Sequence, residues 1–140
     1  MTKIDFYQIH DEEIAFACRL IGLIYRRGHQ VYVHVKDQEQ AESLDEHLWI
    51  SPHDTFIPHT IQGTDLKVPI KIGHDHDPLD HQDVLINLSD IVPHFFSRFD
   101  RVAEVVPLDE NRRQAARTNY SFYKERGYAL KYHQLKRSLP

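Results

Sequence analysis

Apolar residues along this chain change repeatedly between strand-like alternation and helical spacing, which predicts strands interleaved with helices. The pattern predicts a first strand at 3–9 and a helix that begins at an N-cap, Asp11, and ends at Gly28 in a left-handed conformation. A second strand is expected at 29–35, and Asp37 then opens a second helix with a capping box. The first third of the chain is therefore predicted to be regular and well packed.

The centre of the chain is less regular, because prolines and glycines interrupt residues 51–82 and leave only a short or edge strand at 68–72. Regular elements follow as a buried strand at 83–89, a short helix at 91–99, a strand at 101–107 and a long helix at 109–127. Strands that alternate with helices predict an α/β fold with a mainly parallel sheet flanked by helices. We expect a single domain that spans residues 1–140.

Composition narrows the class of protein without changing this picture. The 140 residues are 41% hydrophobic and 27% charged, as in ordinary globular domains, and the formal net charge of −4 argues against a surface devoted to nucleic acid. The single cysteine, Cys18, lies on the apolar side of the first helix and is expected to be a buried, unreactive thiol. The start of the chain lacks a signal-peptide pattern, and no apolar run is long enough to span a membrane, so a cytoplasmic protein is expected.

Motifs that bind nucleotides or activate nucleophiles are missing from the sequence. It contains only five glycines and neither G-x-G-x-x-G, G-x-x-x-x-G-K-[ST] nor G-x-S-x-G. The sheet is therefore predicted to be Rossmann-like without a nucleotide site. We expect no cofactor and no catalytic nucleophile.

A histidine- and aspartate-rich segment, HDHDPLDH at 74–81, is the only candidate for a metal centre. Imidazole and carboxylate are ligands for zinc or manganese, so His74, His76 and His81 leave a metal-dependent hydrolase open as an alternative function. Adjacent ligands in a flexible loop are poorly pre-organised, however, and no helix supplies a second set of ligands. The sequence favours a solvated polar loop, and no metal is assigned.

Two large aromatic residues, Trp49 and Phe56, flank a corner at Pro52. Each ring can bury roughly 150–250 Å² of surface, either in the core or in a partner's groove. Trp49 lies about 100° round the second helix from its inner face, on the flank, so its ring can project away from the core. We interpret the pair as a surface for a protein partner.

A basic stripe with an aromatic edge runs along the last helix, because Arg113, Arg117, Tyr120 and Lys124 follow i, i+4, i+7 and i+11. Three interpretations are open: a solvated helix face, direct contact with single-stranded DNA, or a groove for an acidic peptide. Guanidinium groups bind carboxylates in a bidentate manner and rings shelter apolar side chains, which suits a peptide with an acidic and aromatic end.

Four segments in a fixed order carry a resemblance to a known family. The segments are LDEHLW (44–49), SPHDTFIPH (51–59), DVLINLS (83–89) and VVPLDENRRQAARTNYSFYKERGY (105–128). Together they resemble the chi subunit of bacterial DNA polymerase III across nearly the whole chain. The resemblance implies a non-catalytic accessory protein of the clamp-loader complex in DNA replication, with an α/β fold that lacks a nucleotide site.

The family also implies two protein partners on separate surfaces and only indirect contact with nucleic acid. Trp49 and Phe56 match the positions that contact the psi subunit, and a helicase-like partner can use the same surface in some members. Arg113, Arg117 and Tyr120 match the positions that hold the acidic C-terminal tail of single-stranded-DNA-binding protein. Ser121 replaces a basic residue common in the family, and Lys124 is expected to compensate for it.

Overall fold

The computed structural model describes residues 1–50, 58–61, 68–74, 78 and 82–135. Its helices are α1 (Glu13–Arg26), α2 (Gln38–Ile50) and α3 (Glu110–Glu125). Its strands are β1 (Lys3–Gln8), β2 (Val31–His34), β3 (His59–Ile61), β4 (Ile70–Gly73), β5 (Val84–Asn87), β6 (Arg101–Val106) and β7 (Ala129–Gln134). The described strands form one sheet in the order β3-β4-β2-β5-β6-β1-β7, and every neighbouring pair is parallel. The predicted α/β fold with a parallel sheet is confirmed.

Alternating side chains of the strands build a separate apolar core on each face of the sheet. On one face, side chains such as Val33 and Ile86 pack against the inner sides of α1 and α2. On the other face, Phe6 and Tyr32 pack beneath a turn at Phe96–Arg98 and beneath α3. Helix α3 is therefore the long helix that covers the second face, and it carries the predicted basic stripe.

The start of α1 differs by one residue from the prediction. Glu12, not Asp11, is the N-cap, because its carboxylate accepts hydrogen bonds from the backbone N–H groups of Ile14 and Ala15, at 3.0 and 2.9 Å. The Asp11 carboxylate is engaged elsewhere, in an ion pair with Arg19 at 2.7 Å. Asp11 therefore does not cap the helix, because its carboxylate pairs with Arg19 instead.

The start of α2 and the ends of α1 and α3 follow the sequence signals, whereas Asp109 precedes α3 without a side-chain cap hydrogen bond. Asp37 Oδ1 accepts a hydrogen bond from the Gln40 N–H at 2.8 Å, and Gln40 Oε1 accepts one from the Lys36 N–H, also at 2.8 Å. The capping exchange therefore forms, although its second half reaches one residue further back than the standard motif. Gly28 and Gly127, with φ of +85° and +80°, follow α1 and α3 in the left-handed region that glycine adopts without strain.

Two strands and one helix differ from the prediction. β3 and β7 were not predicted. The strand predicted at 68–72 as short or at an edge is the short strand β4 (Ile70–Gly73), which lies inside the sheet, between β3 and β2. The helix predicted at 91–99 is only the turn Phe96–Arg98. The side chains of Asn87 and Ser89 donate hydrogen bonds to the Ile91 carbonyl, at 2.8 and 3.0 Å, so that carbonyl is not available to a longer helix.

Candidate functional site

A cavity of about 380 Å³ lies between α3 and the carboxyl ends of β1 and β7, and we name it the α3–β7 cavity. Its lining consists of Gln8, Arg113, Ala116, Arg117, Tyr120, Ser121 and Tyr132. Three of the four residues predicted to hold an acidic peptide thus meet in one cavity. The fourth, Lys124, is exposed further along α3 and is not part of the lining.

Arg113 is the more enclosed of the two cations at the α3–β7 cavity. Its side chain is half-buried, and its Nε is buried without a hydrogen-bond partner in the part of the chain that the structure describes. A buried donor without a partner is unfavourable by about 1–3 kcal/mol. Because Arg113 lines the cavity, a carboxylate that enters it can pair with this guanidinium group.

Arg117 is open to solvent and only loosely held. Its Nη1 donates hydrogen bonds to Glu110 Oε1 at 3.3 Å and to Gln114 Oε1 at 3.0 Å. The side chains of Arg117 and Glu110 are 60% and 76% exposed, so this ion pair contributes little and yields easily to a competing carboxylate. The guanidinium group of Arg117 is therefore available for an incoming anion.

Aromatic rings form the floor of the α3–β7 cavity. The Phe6 ring lies beneath both tyrosines, with its centroid 5.4 Å from that of Tyr120 and 6.0 Å from that of Tyr132. The two tyrosine rings meet edge to face at 6.2 Å, and Tyr132 Oη donates a hydrogen bond to Gln8 Oε1 at 2.7 Å. The floor is thus fixed before any ligand arrives, and it suits an apolar or aromatic side chain.

Gln8 and Tyr132 belong to this site and were missed by the sequence reasoning. Both come from strands, and the prediction treated the segment after α3 only as a basic tail. Leu130 and Tyr132 alternate with the polar residues Lys131 and His133, which is the signal that would have indicated a strand with one apolar side. Placing that strand beside β1 would have brought Tyr132 to Tyr120.

Arg112 fixes the first turn of α3 above the sheet. Its guanidinium group forms a bidentate pair with Glu13 of α1, at 2.7 and 2.8 Å, and also donates to the Leu88 carbonyl at 3.0 Å. Its Nε lies 2.6 Å from Asp90 Oδ1. Arg112 and Glu13 are each only 15% exposed, so one residue ties α3 to α1 and to the loop after β5.

A buried carboxyl group, Glu104 of β6, lies under the middle of α3. Tyr123 Oη donates to it at 2.6 Å, and Asn87 Nδ2 lies 3.0 and 3.1 Å from its two oxygens. Burial raises the pKa of Glu104 to about 7, although these hydrogen bonds and the charge of Arg112 favour its ionised form. Asn87 Oδ1 also accepts from Ser89, so the network fixes both α3 and the loop after β5.

The predicted aromatic surface is only partly described. Trp49, near the end of α2, is 57% exposed, and its ring lies 4.8 Å, centroid to centroid, from that of His59 on β3. His59 is itself buried, with Nε2 at 3.1 Å from Asp45 Oδ1. The Trp49 ring thus rests on the edge strand and presents most of its surface to solvent, whereas Phe56 lies outside the described residues.

The candidate metal loop is mostly outside the described residues as well. His76 and His81 are not described, and His74 Nε2 lies 3.1 Å from Gln38 Oε1. Among the residues that are described, no group of three histidine, cysteine, aspartate or glutamate side chains is arranged to hold a metal ion. Cys18 is buried, and burial raises the pKa of its thiol to about 12, as expected of an unreactive cysteine.

A second cavity, of about 450 Å³, lies on the α1 face of the sheet and has a different electrostatic character. Its charged lining residues are Asp5, Asp83, Asp100, Arg27, Arg101 and Lys131. Among the residues that the structure describes, aspartates equal arginines and lysines in number there, whereas no acidic residue lines the α3–β7 cavity. The α3–β7 cavity is therefore the better candidate for an anionic ligand.

None of the described helices is long and apolar enough to cross a membrane.

Comparison with known proteins identifies the family. The family model for the DNA polymerase III chi subunit, HolC, matches residues 1–131. A relative from Pseudomonas aeruginosa, named DNA polymerase III subunit chi, is 41% identical over 98% of this chain and 99% of its own length. Relatives of the same name from Haemophilus influenzae and Escherichia coli are 34% and 30% identical, over 85% and 81% of this chain and 83% and 79% of their own lengths. The resemblance seen in the motifs is confirmed, and the chain belongs to the family of DNA polymerase III chi subunits, which are accessory subunits in DNA replication.

Proposed function

We propose that this chain is a non-catalytic adaptor that links the clamp loader, through the psi subunit, to the acidic C-terminal tail of single-stranded-DNA-binding protein. The α3–β7 cavity carries the proposal. It combines two arginines with a floor of aromatic rings, and none of its described lining residues is acidic, which is the chemistry that an acidic peptide with an apolar end requires. Several tails on a coated DNA strand would raise the effective concentration and hence the avidity.

The tail contact depends on Arg117 and Arg113. Arg117→Ala should weaken binding of a fluorescent acidic peptide that ends in phenylalanine by about 1–3 kcal/mol, which is the strength of a hydrogen bond to a charged group. This corresponds to an affinity loss of roughly 5- to 150-fold in fluorescence anisotropy at low salt. Binding to the wild-type chain should also weaken as salt is added, because exposed charges are screened.

Arg126→Ala is the matched control for this titration. Arg126 lies just beyond the last turn of α3, outside the cavity, with its guanidinium group 3.7 Å above the Phe122 ring. It removes the same charge, so equal losses for both variants would mean that only net charge matters. Unchanged affinity of Arg117→Ala would refute the tail site.

The psi contact is proposed at the exposed Trp49 ring, together with Phe56 by family resemblance, and a helicase-like partner would use the same surface. Trp49→Ala should abolish co-purification with psi, since a large aromatic residue in the centre of an interface commonly contributes on the order of 2 kcal/mol or more. The thermal melt of the isolated chain should change little, because the ring is 57% exposed. A large loss of thermal stability would instead identify Trp49 as a core residue.

A further inference from the structure

Strand β7 ends the sheet on the side of the α3–β7 cavity, and its outer edge is not paired with any other described strand. The pairing on its inner edge is with β1, in parallel, from Lys3 opposite Ala129 to Gln8 opposite Gln134. An edge strand presents a row of backbone N–H and C=O groups that can accept a further strand. Which groups face outward can be read from the pairing with β1.

The Leu135 N–H donates to the Gln8 carbonyl at 2.9 Å. In a parallel pair, alternate residues direct both of their backbone groups towards the same neighbour. The odd-numbered residues of β7 therefore bond to β1. Leu130, Tyr132 and Gln134 direct their N–H and C=O groups outward, away from the sheet.

Tyr132 connects this edge to the cavity. Its ring forms part of the cavity floor and is stacked on Phe6, while its own backbone groups belong to the outward-facing set. The residue Tyr132 is 44% exposed and lines the cavity, so the cavity is open beside the strand edge. A peptide whose side chain rests on Tyr132 therefore has its backbone within reach of β7.

The charge of β7 selects the kind of strand that can join it. The strand ALKYHQ contains one exposed cation, Lys131, and no acid. A lysine on an edge strand disfavours pairing with a second copy of the same strand, because like charges would then lie close together. An acidic strand would instead be attracted by Lys131 on the edge and by Arg113 and Arg117 at the cavity.

We propose that the acidic peptide bound in the α3–β7 cavity also adds to β7 as an eighth strand, through the backbone groups of Leu130, Tyr132 and Gln134. This inference rests on the proposed function and adds to it a mode of binding. Backbone pairing holds an extended peptide whatever its side chains, while the two arginines and the aromatic floor select an acidic sequence with an apolar end.

Amide hydrogen exchange measured by NMR tests the pairing directly. The probe is a synthetic peptide of several aspartates that ends in phenylalanine, added at saturation to the ¹⁵N-labelled full chain. Exchange of the Leu130, Tyr132 and Gln134 amides should slow by at least about tenfold, because they gain hydrogen bonds. The amides of Lys131 and His133 already bond to β1 and should change much less, so an alternating pattern is expected.

Gln134→Pro and Gln134→Ala form a matched pair of variants. Gln134 is exposed and its N–H faces outward, so proline removes an outward donor without breaking the pairing with β1, and alanine keeps that donor. Gln134→Pro should bind the peptide about two- to tenfold more weakly than Gln134→Ala, which is the effect of one hydrogen bond. Thermal melts of both variants show whether the chain stays folded, and the exchange experiment on the wild-type chain does not depend on them.

The outcomes separate this inference from the proposed function. If the peptide binds but exchange of the three outward amides is unchanged, strand addition is overturned and the cavity remains a peptide site. If exchange slows equally at all five positions, the peptide stabilises β7 without pairing with it, which also overturns strand addition. If the peptide fails to bind the wild-type chain, the proposed tail site falls and the inference with it.

Discussion

Arg112→Ala should lower the free energy of unfolding by about 2–4 kcal/mol. Its neighbour Arg113, by contrast, is proposed to bind the peptide and not to stabilise the fold. The substitution leaves the Glu13 carboxylate, only 15% exposed, without its bidentate partner. It also removes the hydrogen bond to the Leu88 carbonyl and the pair with Asp90. Removal of one member of a poorly solvated ion pair is unfavourable because the remaining charge is not compensated.

Arg113→Ala is the control for this prediction, since it removes the same side chain from the next position of α3. Arg113 has a buried Nε that lacks a partner among the described residues, so its loss should lower the free energy of unfolding by less than about 1 kcal/mol, if it lowers it at all. Urea unfolding of both variants should show a large loss of stability for Arg112→Ala only. Peptide binding, measured in parallel, should be weakened by Arg113→Ala. Equal destabilisation by both substitutions would contradict the assignment of Arg112 as the residue that fixes α3.

Glu104→Gln should remove a pH dependence of the free energy of unfolding that amounts to about 3 kcal/mol. The folded chain raises the pKa of Glu104 from its usual 4.5 to about 7, chiefly by burial. Between these pH values the folded state keeps a proton that the unfolded state has released. The wild-type chain therefore loses stability as pH rises from about 4.5 to 7, and the glutamine variant, which cannot ionise, should lack this loss.

Urea unfolding at pH 5 and pH 8 measures this effect as a difference between the variant and the wild-type chain, so other titrating groups cancel. Glutamine keeps one oxygen that can accept from Tyr123 Oη and Asn87 Nδ2, and its NH2 group replaces the other oxygen. Any cost of placing that NH2 group near Asn87 Nδ2 is the same at both pH values and cancels from the pH dependence. Glu125→Gln is the control. Glu125 is exposed at the end of α3, and its substitution should show no comparable difference between the two pH values. The prediction is wrong if the difference in free energy of unfolding between Glu104→Gln and the wild-type chain is the same at pH 5 and at pH 8.

The elements with strong apolar patterns were predicted well because their burial is written directly in the sequence. The strand predicted at 83–89 contains the apolar run Val84–Ile86, and β5 (Val84–Asn87) is buried at every position. The helix predicted at 109–127 is α3 (Glu110–Glu125), so the i, i+4 and i+7 spacing correctly brought Arg113, Arg117 and Tyr120 together. Helical periodicity is a local property and survives in any tertiary context.

β7 and the cavity floor could not be obtained in the same way, because they depend on pairing between distant parts of the chain. An edge strand is buried on one side only, and β7 is largely exposed, so its apolar signal is weak. Tyr132 becomes a cavity residue only because β7 pairs with β1 and places it over Phe6. Likewise, nothing local indicated that Arg112 would bind Glu13, which lies 99 residues away.

The width of the sheet separates the two proposed partner surfaces. β3, on which the Trp49 ring rests, and β7, which borders the cavity, are the outermost of the seven described strands. Six steps between neighbouring strands, each about 4.8 Å, separate them by roughly 29 Å. Two partners that each covered only one of these margins would share no contact residue, so we expect their binding free energies to add.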